Sequence, residues 1–350
     1  MRAWLLDNTT LNCLFMKKPI SKRFAVILLS MCLAETSFSQ TPFAFSCADD
    51  EHISAGTRDS VDSVAQHFAE RLLGQDPALA YDMMSDAGKQ QVTREQLSAQ
   101  MAALVQQFEP TNLQVQHTYL IDIKGKSPGR VVCATDSSKS TEWESLSATD
   151  VPEQAHVLLS ADTRNNKIVF AVWLVSEQGA WKVQSIWMNV ATLADKGSEQ
   201  LLELARAQKK KDHMFNAALL YAAAGQTANR GPNIQLGVAN DIAEEASQLS
   251  LPIELQGQPP FTWKTPDGTF QVMNVGPIAV GGKIYVMIQH EAPAWPNDKA
   301  ADELNKKLLA YFKGRFPEYT DLFSGVVVRV HERGGSHGYG TVEDLSTQAK

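Results

Sequence analysis

Side chains able to exchange protons gather around one histidine in the first half of the sequence. His117 falls in Leu113–Ile123, where apolar and polar residues alternate as in a half-buried strand, and Tyr119 follows on the same face. With Tyr81, Asp82 or Tyr119 as a partner, His117 could act as a general acid or base. The sequence does not bring these groups together, and a histidine on an apolar strand face more often packs in a core. We therefore predict no catalytic residue and keep catalysis at His117 as an alternative.

A second polar cluster lies near the end of the chain, in His331–Gly340. His331, Glu332 and His337, joined by His290 from an adjacent strand, are ligand types that Zn²⁺ accepts. The two histidines of the cluster are six residues apart, outside helical ligand spacing, and no cysteine accompanies them. The glycines around them are typical of a turn-rich tail. We predict no metal site and no cofactor.

Three tryptophans belong to one apolar hairpin, Lys167–Leu193. We predict a three-residue loop, Glu177–Gly179, with its glycine in the left-handed region. Because side chains alternate along a strand, that loop would place all three indoles on one face of the sheet. Together with two residues of the His117 strand they form the candidate ligand pocket, and the alternative is core packing or an interface between domains. The pocket residues are His117, Tyr119, Trp173, Trp181 and Trp187.

Composition and charge exclude several classes of function. The 350 residues are 44% hydrophobic and 20% charged, as in ordinary globular proteins, and the net charge is -7 at pH 7. An acidic chain without a basic stripe is a poor binder of nucleic acid, so no such partner is expected. Phosphate-binding loops, nucleophile elbows, HExxH and CxxC motifs do not occur in the sequence. This disfavours the common kinases, hydrolases and thiol enzymes.

The beginning of the chain is predicted to be a secretory signal peptide, residues 1–39. A basic cluster precedes the apolar stretch Phe24–Ala34, and Ser37-Phe38-Ser39 is a small-x-small cleavage site. The apolar stretch is shorter than the roughly 20 residues that a membrane-spanning helix needs, so we expect no transmembrane span. We therefore expect an exported protein, in the bacterial periplasm or secreted.

The start of the chain and its cysteines carry further expectations. Met16 directly precedes the basic cluster, so residues 1–15 are interpreted as a mis-annotated start. Cys32 lies in a partial lipoprotein box, which leaves a lipid anchor there as an alternative. The mature chain would keep only Cys47 and Cys133, and an oxidising compartment favours one disulfide between them. A buried free thiol at Cys133 is the alternative.

Residues 58–193 combine short helices with a following antiparallel sheet. Asp76-Pro77 is predicted to start one helix as N-cap and first-turn proline, and Thr93–Gln96 starts another as a capping box. Leu73–Met84 (LGQDPALAYDMM) resembles the junction of the first two helices in NTF2-like (cystatin-like α+β) exported domains. Gly179–Trp187 (GAWKVQSIW) resembles their last strand. The resemblance implies helices on a curved sheet around a conical cavity, in a family of binding modules, targeting domains and some enzymes.

The rest of the chain is predicted to form loops, a connector and a second domain. Residues 136–154 are Ser-rich and predict a long loop, which departs from the compact NTF2-like pattern. Residues 194–250 predict an α-helical connector with one hairpin that resembles a tetratricopeptide repeat (TPR-like). Residues 251–343 predict a small α+β domain of ββ-β-α-β order, which resembles no family that we recognise. Residues 40–57 and 344–350 lack periodicity and predict tails.

The sequence thus predicts an exported α+β protein in three parts. Its function is expected to be non-enzymatic binding of a small apolar ligand or of a protein partner. One alternative is an isomerase or hydrolase that uses an NTF2-like cavity around His117. Another is a structural assembly component that forms a homodimer through its sheet.

Overall fold

The computed structural model describes residues 44–74, 76–127, 129–134, 143–295, 297–335 and 337–345. These residues contain eight α-helices and thirteen strands in three open, mostly antiparallel sheets, so the predicted α+β class is confirmed. The predicted signal peptide 1–39, with Cys32 in it, lies outside the described residues, as does 346–350 of the predicted C-terminal tail.

Helices and strands alternate in blocks along the chain. The helices are α1 (Ala55–Leu73), α2 (Pro77–Asp82), α3 (Asp86–Lys89), α4 (Arg94–Phe108), α5 (Ser198–Lys210), α6 (Met214–Ala228), α7 (Gly237–Ser247) and α8 (Asp298–Arg315). The first seven strands are β1 (Ala44–Ala48), β2 (Thr111–Lys124), β3 (Arg130–Ala134), β4 (Trp143–Ser147), β5 (Glu153–Asp162), β6 (Lys167–Glu177) and β7 (Ala180–Val190). The other six are β8 (Ile234–Leu236), β9 (Phe261–Thr265), β10 (Gly268–Val280), β11 (Lys283–Ala292), β12 (Gly325–Glu332) and β13 (Gly338–Asp344).

Local capping starts the first helices where the sequence predicted them. The Asp76 side chain accepts from the Leu79 amide, with Pro77 in the first turn of α2. Thr93 and Gln96 form the reciprocal capping box of α4. These side chains satisfy backbone amides that have no partner inside a helix, so the start of each helix is encoded within four residues.

The first sheet has the order β1-β2-β5-β6-β7 and is antiparallel throughout. Helices α1 to α4 cover one of its faces. Val61, Phe68 and Leu72 of α1 meet Phe170 and Val172 of the inner strand β6, and each is at most 1% exposed. Residues 44–48, which we expected to belong to an irregular tail, form the edge strand β1.

The register of the β6–β7 hairpin differs from the predicted one. Glu177 pairs with Ala180, so the loop has two residues, Gln178 and Gly179, both with positive φ. The register then shifts between Trp173 and Leu174, which leaves an extra residue, Gln184, on β7. The prediction of a three-residue loop was wrong, because two left-handed residues close a tight hairpin whose twist matches that of its strands.

The second sheet, β3-β4-β8, packs on the other face of the first sheet. Its strand β4 lies inside the segment 136–154 that we predicted to be a loop, of which residues 136–142 lie outside the described residues. Its strand β8 comes from the connector, where we predicted only helix. Leu146 of β4 and Ile234 of β8 pair with each other and are at most 3% exposed. The polar segment becomes a strand because it finds a partner about ninety residues away.

The third sheet, β13-β12-β11-β10-β9, shares one hydrophobic core with the connector helices. Phe215 of α6 stacks on Phe316, with ring centroids 4.2 Å apart, and α8 packs on β12 and β13. The predicted ββ-β-α-β order is present, with β11 and β12 parallel. One further strand, β13, forms where glycines predicted a tail, because it pairs along β12 from Gly325 to His331.

A disulfide joins the edge strand β1 to the second sheet. Cys47 and Cys133 are bonded, with Cα atoms 5.7 Å apart and 86 residues between them in sequence. The predicted pairing is therefore confirmed, and the alternative of a free thiol at Cys133 is wrong. None of the helices in the described parts of the chain is long and apolar enough to cross a membrane.

Candidate functional site

The five residues of the predicted pocket do not all meet. Tyr119 and Trp187 belong to the core between the first and second sheets, and Trp173 lies on the same face of the first sheet. His117 is next to Tyr119 on this side of β2 but is 59% exposed. Trp181 packs instead with the helices on the opposite face. The structure thus brings four of the predicted residues to one face, which the second sheet covers.

A carboxyl group that the sequence analysis missed lies in this face. Glu144 is on β4, and its Oε2 atom is buried and accepts no hydrogen bond from the described residues. Burial raises the pKa of Glu144, while the neighbouring Tyr119 hydroxyl and the charges of His117 and Arg230 act to lower it. Burial also raises the pKa of Tyr119 and lowers the pKa of Arg230. The four side chains form a polar cluster from β2, β4 and the end of α6, which we call the intersheet cluster.

The His117 ring is oriented by a carboxylate at the edge of the intersheet cluster. Its Nδ1 atom lies 3.1 Å from Oδ2 of Asp50, and the other oxygen of Asp50 accepts the Thr118 amide at 2.9 Å. Asp50 thereby holds the proton of His117 on Nδ1 and leaves Nε2 as the basic nitrogen. This is the geometry of a surface general base, although neither of the two clefts described below includes His117.

A neutral histidine packs against Trp173 on the same face. The His156 ring stacks on the Trp173 indole at 5.2 Å, and its Nε2–H donates to the Ser147 carbonyl at 2.7 Å. Complete burial lowers the pKa of His156 to about 4. The indole nitrogens of Trp173 and Trp187 are buried and donate to no described residue. These aromatic groups form a packed layer on this face of the first sheet.

The turn after α6 separates the intersheet cluster from a cleft. Arg230 acts on Glu144, whereas its neighbours Asn229 and Gly231 line the cleft. Gly231 lies so close to Trp187 that a Cβ atom there would be 2.3 Å from Cγ of the indole. Asn189 of β7 fixes the same turn by donating to the Gln226 and Asn229 carbonyls at 2.7 and 3.0 Å. The turn is therefore a rigid wall with a polar cluster on one side and the cleft on the other.

We call this space the junction cleft, because it lies where the second sheet meets the connector helices. Its volume is about 340 Å³. Most of its walls are aliphatic or small, and its polar groups are one guanidinium and two side-chain amides. The lining residues are Arg130, Gly225, Ala228, Asn229, Gly231, Pro232, Ile234, Gln235, Leu236 and Ala239.

Arg130 is held at the junction cleft by neutral acceptors. Its Nε and Nη2 atoms donate to the side chain and the carbonyl of Ser145 at 2.9 and 2.7 Å. Its Nη1 atom donates to the Pro232 carbonyl at 3.0 Å and reaches the Ser147 hydroxyl at 3.4 Å. None of the ion pairs between described residues includes Arg130. The cleft thus has a fixed positive charge that its own walls do not neutralise.

Trp181 lines a different cleft, on the helical face of the first sheet. This cleft has a volume of about 360 Å³, and Trp181 shares it with Leu120, Glu153 and the first turn of α1. It is open and more polar than the junction cleft. It includes none of the other predicted pocket residues.

The polar segment near the C-terminus is a strand edge with local contacts. His337 stacks on Trp295 at 5.5 Å, and its Nδ1 atom lies 2.8 Å from Oε2 of Glu332. His290 is buried in the third sheet, where its Nε2 atom pairs with Asn305 at 2.8 Å. In the described ranges, no three His, Cys, Asp or Glu side chains are grouped as metal ligands.

No protein-family model and no curated protein matches this chain. The junction cleft and the intersheet cluster are therefore the features from which a function is inferred.

The important residues missed from the sequence are Arg130, Glu144 and Arg230. Glu144 was assigned to a polar loop, although Glu144 and Leu146 share one face of β4 and Ser145 lies on the other, in a pattern of period two. Arg130 and Arg230 were not among the candidate residues. Their roles depend on segments about a hundred residues apart in the chain, such as Arg130 and Pro232.

Proposed function

We propose that this protein is an exported, non-enzymatic binding protein that holds a small, largely apolar ligand in the junction cleft. The observation that carries this proposal is the cleft itself, at the place where two parts of the chain meet. Sites for small molecules occur preferentially at such junctions, in clefts of roughly 300–1,000 Å³. The junction cleft, with about 340 Å³, is at the lower end of that range, so the ligand is small.

The lining supports an apolar ligand with few polar contacts. Ala228, Ile234 and Leu236 provide aliphatic surface, while Asn229 and Gln235 offer side-chain amides. Burial of a ligand's apolar surface against this wall contributes about 25 cal/mol per Å² to binding. The few polar groups then orient the ligand. The hydrogen bonds of Asn189 and Arg130 to the turn hold the wall in place, which reduces the entropy lost on binding.

We further propose that residues 58–193 are an NTF2-like domain with an insertion. The order of helices α1 to α4 followed by the antiparallel strands β2, β5, β6 and β7 supports this proposal. The strands β3 and β4 are the insertion, and with β8 they add a second sheet. In this proposal the ligand lies outside the cone between helices and sheet, because large side chains such as Phe68 and Phe170 fill the core there.

The disulfide supports the proposed export. A disulfide that joins β1 to β3 is stable in an oxidising compartment and is rare in a reducing cytosol. The expected test is fractionation of cells that produce the full chain. Export predicts protein outside the cytoplasm with residues 1–39 removed and no free thiol, and a cytoplasmic protein of full length would contradict it.

Binding in the junction cleft can be tested with a neutral fluorescent probe. Phenylnaphthylamine becomes fluorescent in apolar surroundings, so we expect saturable fluorescence with the unaltered protein. Ala239→Phe places an aromatic ring at the cleft wall and should abolish this signal. Ala222→Phe is the matched control, because Ala222 is exposed on α6 and does not line the cleft. No saturable signal, or equal loss in both variants, would contradict the proposal.

A hydrolase or isomerase is a second candidate, favoured by the contact between His117 and Asp50. The Asp50 carboxylate orients the His117 ring so that Nε2 is the base, and the 59% exposed side chain is accessible to a substrate. A panel of nitrophenyl esters and ketosteroids should then be turned over, with loss of activity in His117→Ala and Asp50→Asn. Absence of turnover by the unaltered protein rules out these substrates and leaves the binding function.

A further inference from the structure

We infer that the ligand of the junction cleft carries one anionic group of the carboxylate type, which Arg130 recognises. This inference rests on the proposed binding function and adds the chemical class of the ligand. The ligand would be a compact apolar molecule with a single acidic end.

The position of the guanidinium is fixed before any ligand arrives. Ser145 accepts from both Nε and Nη2, and the Pro232 carbonyl accepts from Nη1 at 3.0 Å. Acceptors on two strands and on the turn after α6 thus hold the planar group in one orientation. A preorganised donor binds an anion with little further loss of side-chain entropy.

No described residue around this guanidinium balances its charge. The four acceptors of Arg130 are two hydroxyls and two carbonyls, all neutral. No described residue that lines the junction cleft is acidic. Two other strongly bound arginines of this protein pair with a carboxylate, Arg206 with Glu245 and Arg315 with Glu254. Arg130 differs from these arginines in facing an open cleft without such a partner.

The number of N–H groups that Arg130 has left for a ligand limits the kind of anion that it can bind. A guanidinium has five N–H groups, and the four acceptors of Arg130 leave one N–H on Nη2 for a ligand. One charge-assisted hydrogen bond suits a carboxylate that is bound through one oxygen, whereas a phosphate would need several donors. The amides of Asn229 and Gln235 are the remaining polar groups of the lining.

A structural role is the competing explanation for Arg130. Its hydrogen bond to Pro232 ties β3 to the turn after α6, and this tie would matter without any ligand. The two explanations differ in one measurable respect. A structural tie affects neutral and anionic ligands equally, whereas recognition of a charge affects only the anion.

Octanoate and octanol form a matched pair of probes, with the same apolar chain and different ends. Each is titrated against the full-length protein carrying bound phenylnaphthylamine, and displacement is followed by fluorescence. We expect octanoate to displace the probe at about tenfold lower concentration than octanol, since a charge-assisted hydrogen bond contributes roughly 1.5 kcal/mol or more. Arg130→Gln should remove this difference, so that octanoate and octanol displace phenylnaphthylamine at similar concentrations, and Arg130→Lys should keep part of the difference.

The outcomes separate the ligand class from the binding function. Equal displacement by octanol and octanoate on the unaltered protein would overturn the inference and leave the junction cleft as a site for neutral ligands. Failure of phenylnaphthylamine to bind would overturn the proposed function itself. If Arg130→Gln does not fold, the comparison of the two probes on the unaltered protein still decides the inference.

Discussion

Trp181 and Trp187 lie on opposite faces of the first sheet, although they are six residues apart on the same strand. An even separation keeps two side chains on one face of a regular strand. Here Gln184 is an extra residue in β7, so that Val183 pairs with Leu174 while Ser185 pairs with Trp173. This bulge reverses the alternation. It sends Trp181 to the helices and Trp187 to the second sheet.

Helix α3 is packed closely on the bulge, and this contact is predicted to be sensitive to one added methyl group. A Cβ atom at Gly88 would lie 2.8 Å from the Val183 carbonyl and 2.9 Å from the Gln184 carbonyl. We expect Gly88→Ala to lower the free energy of unfolding by about 1–3 kcal/mol, because backbone must move. Gly314→Ala is the control, since no atom is near that position in α8, and it should stabilise by roughly 0.5–1 kcal/mol. Urea unfolding measures the change in the free energy of unfolding for both variants. Equal changes would contradict the close packing of Gly88 on the bulge.

The contact between Gly231 and Trp187 gives a second prediction. Gly231 has φ +87° and no room for a side chain against the indole, whereas Gly129 has φ +81° and open space around it. Gly129→Ala should cost only the backbone strain, about 1–2 kcal/mol. Gly231→Ala should destabilise by more and change the fluorescence of Trp187. Equal destabilisation of the two variants would show that contact with the indole contributes nothing.

Loss of the disulfide is expected to lower stability substantially. The Cys47–Cys133 bond closes a loop of 86 residues, and the chain-entropy model then gives a contribution of about 4 kcal/mol. Reductant should therefore lower the urea midpoint of the unaltered protein. The double variant Cys47→Ser, Cys133→Ser should match the reduced protein and no longer respond to reductant. A midpoint that reductant leaves unchanged would contradict the prediction, provided that thiol titration confirms reduction.

His156 is predicted to make the protein less stable in acid. Its pKa is lowered by burial to about 4 in the folded protein, from 6.5 in the unfolded chain. As the pH falls, protons therefore bind the unfolded chain first. The contribution of neutral His156 to the free energy of unfolding is complete above pH 6.5 and is lost as the pH falls towards 4. The loss is on the order of 3 kcal/mol. Urea unfolding of His156→Gln between these pH values should lack this part of the pH dependence, and exposed His67→Gln should retain it.

Features encoded over a few residues were correctly predicted from the sequence. The N-caps of α2 and α4 depend on neighbours within one or two helical turns. The alternation of side chains in β2 depends on a pattern of period two. The disulfide was also correctly predicted, because only two cysteines follow residue 39. The α+β class followed from these local patterns.

Only the tertiary structure decided how the faces and the sites are composed. A strand needs partners for its backbone groups, so β4 and β13 form where composition predicted a loop and a tail. The bulge at Gln184 depends on packing against α3, where the Ser85 hydroxyl donates to the Gln184 side chain at 2.7 Å. Arg130 reaches Pro232, and Glu144 meets Tyr119 and Arg230, through folding of distant segments. Sequence alone therefore determined which elements could form, and the long-range contacts determined which residues share a cleft.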